Sequence, residues 1–187
     1  TLDISRNLKL IKLDCGENRL SELNVNNNIA LRYLYCYNNN LNNLDISNNP
    51  ELEILECYDN AHLQIESIDN VMFRRNPYGT GIRVLDTTNN LKLKVLKCSS
   101  NEIASLDLSK NSQLLHLDCD DNCIEILDVS TTQLNHYVPK TIVYSEYPLK
   151  CKMASLKALY LKRDWRLKGI NDTFPVCIAR NTQIIYK

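Results

Sequence analysis

Apolar residues in this chain do not run in blocks; they recur at fixed intervals. Leu13-Asp14-Cys15, Leu34-Tyr35-Cys36, Leu55-Glu56-Cys57, Leu96-Lys97-Cys98 and Leu117-Asp118-Cys119 share one alternation of apolar and polar positions. A period of two is the signature of a strand with one buried face. The first three of these cysteines are spaced by 21 residues, as are Cys98 and Cys119, and the step from Cys57 to Cys98 is 41, two periods less one residue. Asn18, Asn39, Asn60, Asn101 and Asn122 each follow their cysteine by three places. The second half of the unit carries Leu23-Asn24-Val25, Leu44-Asp45-Ile46-Ser47, Leu106-Asp107-Leu108-Ser109 and Leu127-Asp128-Val129-Ser130. The unit is therefore L-x-x-L-x-C-x-x-N-x-L-x-x-L-D-[IVL]-S-x-N-x-x, with first leucines at Leu10, Leu31, Leu52, Leu93 and Leu114. The spacing predicts a degenerate unit over 61–84 and a weak one over 134–155, beginning Leu134-x-x-Tyr137-x-Pro139. It predicts a fairer one at Leu156-x-x-Leu159-x-Leu161, for about eight coils in all.

A strand of this kind cannot bury its apolar face alone, so successive units must stack and supply each other's wall. The repeated Asn has a defined task in such a stack. Where the strand turns away, its amide offers both donor and acceptor to backbone groups that would otherwise be buried unpaired. The second series, Asn28, Asn49, Asn90 and Asn111, is expected at the other turn, favouring turn conformations that include the left-handed one.

The unit resembles the leucine-rich repeat family, in its short bacterial form with 21-residue units and Cys in the third apolar slot, as in internalin-like surface proteins. The resemblance covers the chain to about residue 167. It implies a right-handed solenoid with one parallel sheet on the concave side, an extended or 3₁₀ convex side and little α-helix. The expected organisation is a solenoid over 1–167 and a cap over 168–187, with Trp165 helping to cover the last coil. Because Thr1-Leu2-Asp3-Ile4-Ser5 is already the second half of a unit, an N-terminal region is expected to be missing.

Composition narrows the function. Twenty-two basic residues balance 22 acidic ones, which argues against a nucleic-acid-binding module and against attraction to anionic lipid. A 44% hydrophobic fraction fits a chain that builds a core, and no apolar run is long enough to span a bilayer. With four glycines, Gly-rich phosphate loops are nearly excluded. No G-x-S-x-G, H-E-x-x-H or Walker pattern accompanies His62, His116 or His136, so no enzyme and no cofactor is expected.

Of the eight cysteines, five fall in one inward column, where thiols act as small hydrophobes and neighbouring parallel strands offer poor bridging geometry. Cys123, Cys151 and Cys177 are off-pattern. Residues 61–84 break the repeat with Val71-Met72-Phe73-Arg74-Arg75-Asn76-Pro77-Tyr78-Gly79, read either as a drifted coil that bulges outward or as a loop whose Arg74, Arg75 and Tyr78 contact a ligand.

The outward strand positions are the default working surface of a solenoid. They are Lys12, Asp14 and Gly16; Tyr33, Tyr35 and Tyr37; Ile54, Glu56 and Tyr58; Val95, Lys97 and Ser99; His116, Asp118 and Asp120. The weaker coils add His136 and Val138, then Ala158 and Tyr160. Tyr33, Tyr35, Tyr37 and Tyr58 make an aromatic patch that suits protein or glycan recognition, or that simply reflects the strand propensity of Tyr. Together with Glu56, Lys97, His116, Asp118 and Asp120 they form the expected binding face. The resemblance implies a non-catalytic module at the bacterial surface or secreted, binding a protein or glycan there. A stiff spacer with no ligand is the alternative reading, and a metal-dependent site at His116, Asp118 and Asp120 is a remote one.

Overall fold

The structure, a computed structural model, describes residues 2–61, 64–68, 71–75, 81–134, 149–162, 176–178 and 181–187. Its elements are β1 (Lys12–Asp14), β2 (Tyr33–Tyr35), β3 (Ile54–Glu56), β4 (Gln64–Ile68), β5 (Val71–Arg75), β6 (Val95–Lys97), β7 (His116–Asp118), β8 (Ile126–Asp128), β9 (Leu149–Cys151), β10 (Ala158–Leu161), β11 (Val176–Ile178) and β12 (Gln183–Tyr186). A main sheet of seven parallel strands runs in the order β1-β2-β3-β6-β7-β9-β11. A second parallel sheet, β12-β10-β8, lies on the return side of the last coils, and β4 and β5 form a separate antiparallel hairpin. The chain is a leucine-rich repeat solenoid, and the described residues contain no α-helix.

The register follows the repeat. Leu13, Leu34, Leu55, Leu96, Leu117 and Leu149 stand side by side on consecutive strands. From Leu34 on, every member of this row is fully buried. So is each cysteine two places later, from Cys36 to Cys151. Burial removes each leucine from water at a gain of about 1.5–3 kcal/mol, and it is shared between coils, which is why no coil is stable by itself.

The Asn ladder works as expected. The Asn39 amide nitrogen donates to Cys15 O in the preceding coil (2.9 Å) and to Tyr37 O in its own (3.1 Å), while its oxygen accepts from Leu20 N (2.9 Å). Asn60, Asn101 and Asn122 repeat this pattern one coil further each time. The second series stands at the return turns, without the left-handed conformation, and its side chains have a further task. Asn49 donates to Val25 O and Asn28 O, and Asn90 and Asn111 repeat the link, so these residues staple coils on the return side. The left-handed backbone lies instead two residues past each cysteine, at Glu17, Asn38, Asp59, Ser100 and Asp121, with φ of 51–55°. Return segments are made of successive four-residue turns, closed by bonds such as Asn28 N to Val25 O and Leu31 N to Asn28 O.

The repeated Asp also has a task. Asp3, Asp45, Asp86, Asp107 and Asp128 each accept the backbone N–H two residues on, and Asn24 does the same in its coil. Such side-chain-to-backbone closure fixes the turn that follows.

Two expectations about the coils are corrected. No degenerate coil separates Leu52 from Leu93, because β3 pairs directly with β6, Leu55 beside Leu96. Cys57 N donates to Lys97 O and Asn101 reaches Cys57 O, the contacts of immediate neighbours. Ile82 takes the place that Leu41 and Ile103 hold, its N–H donating to Asn101 Oδ1 as theirs do to Asn60 and Asn122. Residues 62–81 are thus an insertion of 20 residues between Ala61 and Ile82, and the 41-residue step is one period plus that insertion. It contains the β4–β5 hairpin, which joins neither sheet.

The second correction lies further on. The strand that follows β7 is β9, with Leu149 beside Leu117, rather than one at Leu134–Pro139; residues 135–148 lie outside the described residues. Leu156, Leu159 and Leu161 do not open a new coil but form the return half of the β9 coil, where β10 pairs with β8. Ala158 and Tyr160 therefore belong to the return sheet and not to the expected binding face. The tail expected to act as a cap extends both sheets, β11 beside β9 and β12 beside β10. Trp165 lies outside the described residues.

Candidate functional site

The outward residues of the main sheet form three columns that cross the strands. One holds Lys12, Tyr33, Ile54, Val95 and His116; the next holds Asp14, Tyr35, Glu56, Lys97, Asp118 and Lys150. The third, just past each cysteine, holds Gly16, Tyr37, Tyr58, Ser99, Asp120 and Lys152. Period-two alternation sends these side chains away from the core, and parallel pairing sets each beside its counterpart in the next coil.

The four tyrosines are brought together at β2 and β3. The rings of Tyr37 and Tyr58 stack, with centroids 4.8 Å apart and planes 6° from parallel. On its other side the Tyr37 ring lies over Gly16: a Cβ added there would stand 2.6 Å from Tyr37 Cζ. Lys12 Nζ sits 5.1 Å from the centroid of Tyr35, and the Arg32 guanidinium 5.5 Å from that of Tyr33. Each ring therefore has at least one face covered by the chain itself, and Tyr37 has both. Stacked pairs and cation–π contacts are each worth about 0.5–1.5 kcal/mol at such sites, enough to hold the rings in place. Burial, then the nearby Glu56 carboxylate, pushes the Tyr58 phenol up to about 12. Tyr35 and Tyr37 are raised for the same first cause.

Toward the other end, the middle column alternates in charge. Glu56 pairs with Lys97 at 2.9 Å, and Asp118 with Lys150 at 3.1 Å. The Asp120 carboxylate accepts from Lys152 N at 2.6 Å, and burial raises its carboxyl above the ordinary value. One column over, Glu53 takes both Arg32 and Lys94, which hold its carboxyl below the ordinary range. His116 is buried in the sheet's outer layer, 6% exposed, rather than presented to solvent. Among the described residues no group of three His, Cys, Asp or Glu is placed to hold a metal ion. Cys119 is buried, whereas the off-pattern Cys123 is exposed.

The six cysteines of the inward column are buried, and Cys15, Cys36, Cys57, Cys98 and Cys119 are thiols without a disulfide. Burial raises Cys15 to about 11 and Cys36, Cys57, Cys98 and Cys119 well above the ordinary value. Such thiols carry almost no thiolate at neutral pH, so they neither attack nor ligate. Cys151 joins this column, contrary to its reading as off-pattern; Leu149-Lys150-Cys151 repeats Leu96-Lys97-Cys98 and carried the signal. Lys150 and Lys152 were missed with it. Gly16, Lys12 and Arg32, which fix the rings, have no signature beyond their place in the columns.

Other expected contacts fall elsewhere. Arg74 and Arg75 lie on β5 of the inserted hairpin. Its base is formed by Ala61, three residues after Tyr58 in the chain, and Gly81, which lies against Ala61. Tyr78, His62, His136, Val138, Tyr137 and Pro139 lie outside the described residues.

No family model and no curated protein matches the chain. Among solved structures, it is similar to the functional domain of InlJ from Listeria monocytogenes, described as including a cysteine ladder, at 25% identity. That match covers 100% of this chain and 45% of the other, with a TM-score of 0.35. An internalin, InlF, from Listeria monocytogenes is 20% identical over 99% of this chain and 59% of its own, with a TM-score of 0.30. The chain thus spans about half the length of these proteins.

Proposed function

We propose that the outward face of the main sheet is a protein-recognition surface, centred on Tyr33, Tyr35, Tyr37 and Tyr58 and continued by Glu56, Lys97, Asp118 and Asp120. The observation that carries this reading is the fixing of four adjacent tyrosines by their own neighbours, Gly16, Lys12, Arg32 and each other. Rings held in place before the partner arrives lose little freedom on binding, so more of the contact energy is retained as affinity. Tyr is also among the residues that dominate interface energetics.

A protein is favoured over a glycan by what the rings leave open. A sugar packs its flat C–H face on a free aromatic face, but both faces of Tyr37 are occupied and one face of each of the others is covered. Rings covered in this way offer a partner their edges and hydroxyls, suited to hydrogen bonds and side-chain packing. The paired charges toward β7 and β9 neutralise each other, so specificity there rests on geometry and not on net charge. The insertion that carries Arg74, Arg75 and Tyr78 begins three residues after Tyr58 in the chain and is the second contact on this reading.

The module works, on this reading, at the bacterial surface or in secreted form. Thiols that are buried and not ionised tolerate an oxidising exterior without forming bridges. Among the described residues no helix is long and apolar enough to cross a membrane.

The test uses the immobilised chain against surface-protein extracts and a glycan array. Replacing Tyr35, Tyr37 and Tyr58 together with Ala is expected to abolish retention of the protein captured by the unaltered chain, with the fold kept and Tm lowered only by the several degrees that the lost stacking and cation–π contacts account for. Retention that survives the triple replacement refutes the aromatic face. A glycan retained in place of a protein refutes the choice of partner, and a chain that retains nothing is a spacer.

A further inference from the structure

We propose that Gly16 is a positioning residue for the aromatic patch: by lacking a side chain it gives the Tyr37 ring a flat seat and presses it against Tyr58. The inference rests on the reading of this face as a recognition surface for its functional meaning, though its structural content stands alone.

The repeat isolates the reason for glycine at this position. Equivalent places in the other coils carry Tyr37, Tyr58, Ser99, Asp120 and Lys152, so the backbone there accepts side chains of every size. Nor does Gly16 adopt the left-handed conformation that would call for glycine; among the described glycines only Gly81 does, at φ 68°. What distinguishes Gly16 is the ring above it. An added Cβ would come within 2.6, 2.7 and 2.9 Å of Tyr37 Cζ, Cε1 and Cε2, closer than carbon atoms approach without displacement. The Gly16 backbone is held from below by its own coil, its carbonyl accepting from Asn18 Nδ2 at 2.8 Å. The ring is therefore what must yield. Its opposite face is already filled by Tyr58 at 4.8 Å, so a ring lifted off Gly16 has to slide or tilt and lose its parallel stacking.

The seat has a further consequence for order along the solenoid. The stack runs Gly16, Tyr37, Tyr58, one layer per coil, and its first layer is anchored to backbone.

Fluorotyrosine-labelled protein, followed by fluorine NMR with resonances assigned through Tyr37→Phe and Tyr58→Phe, tests the proposal without a partner. Gly16→Ala is expected to shift the Tyr37 and Tyr58 resonances and leave those of Tyr33 and Tyr35 in place. In a Tyr37→Ala background the same replacement is expected to leave Tyr58 unmoved, because the effect travels only through Tyr37. If Gly16→Ala alone lowers Tm, it is expected to cause no further loss in the Tyr37→Ala background. Unmoved Tyr37 and Tyr58 resonances, an equal Tyr58 shift without the Tyr37 ring, or a Tm loss from Gly16→Ala that persists in the Tyr37→Ala background would each overturn the positioning role. Failure of the recognition reading is separate: it shows as unchanged protein capture by Tyr37→Ala, whatever the resonances do.

Discussion

Removing residues 62–81 and joining Ala61 to Ile82 is expected to leave the solenoid intact. The step from Cys57 to Cys98 then falls from 41 to 21 residues, the period of every other well-kept coil. The join is short. A Cβ on Gly81 would stand 2.6 Å from Ala61 Cβ, so the two ends of the insertion already touch. Ile82 needs no movement, since its N–H is held by Asn101 and its carbonyl by Glu102 N. Holding the ends of a 20-residue loop together costs about (3/2)RT ln 20, or roughly 2.7 kcal/mol, before any constant. A two-stranded hairpin alone is marginally stable, and this one joins neither sheet, so it returns little of that cost to the coil stack. Excision is thus expected to leave Tm unchanged or to raise it, by as much as roughly 5–10 °C for a domain of this size. The measurement is thermal unfolding of the excised and whole chains by circular dichroism. A coil at 61–84 would predict the opposite. Its removal would delete a layer of the stack and force two non-neighbouring coils together. A Tm that drops by several degrees, or unfolding that loses its cooperativity, would refute the account of 62–81 as an insertion.

Two further outcomes follow from the ladders. Val25→Thr is expected to cost under about 0.5 kcal/mol, although burying an unpaired hydroxyl ordinarily costs about 1–3 kcal/mol. Thr87 already fills the same slot, with its hydroxyl 2.9 Å from Asn111 Oδ1 and 3.1 Å from Asp107 O. In the Val25 coil the matching acceptor, Asn49 Oδ1, is buried with no partner. Urea unfolding measures the difference, and a loss above about 1 kcal/mol would show that the coils are not equivalent there. The second outcome is pH dependence. Hydrogen bonds from Ser5, Ser47, Thr88 and Ser109 hold Asp3, Asp45, Asp86 and Asp107 below their ordinary value of 3.8. A depressed folded pKa contributes stability above the unfolded value and loses it as pH falls through the folded one. Tm is therefore expected to be flat near neutrality and to fall below about pH 4. Asp45→Asn, Asp86→Asn and Asp107→Asn combined, imitating Asn24, should flatten that fall; an unchanged acid slope would place its origin elsewhere.

Most of the fold was legible because each coil solves the same problem with the same residues. Leucine and cysteine columns, the Asn that closes the turn and the exposure of the tyrosines all follow from alternation and from the duty to pair buried backbone groups. The errors have a common cause. An insertion of 20 residues is one short of a period, so counting alone cannot tell it from a worn coil. What separates them is that β3 and β6 pair directly, a fact about hydrogen bonds and not about spacing. Likewise, the chain before Leu149 lengthens one coil, and holding the period fixed moved Leu156–Leu161 to the wrong side while Leu149-Lys150-Cys151 went unread.

The candidate site was half legible for a related reason. Alternation says that Tyr37 points outward; it says nothing about what its ring lies on. That depends on the residue 21 places earlier, and a side chain in place of hydrogen at Gly16 would leave the pattern untouched while moving the ring. A repeat fixes everything the coils have in common, so whatever makes one stretch of this sheet a surface for one partner must reside in positions where the columns differ. Among the described residues, Gly16 to Tyr37 to Tyr58 is the place where a column of the outward face passes from no side chain to two stacked rings. Recognition located there, and not at the uniform leucines, asparagines and thiols, is what a solenoid with this sequence physically permits.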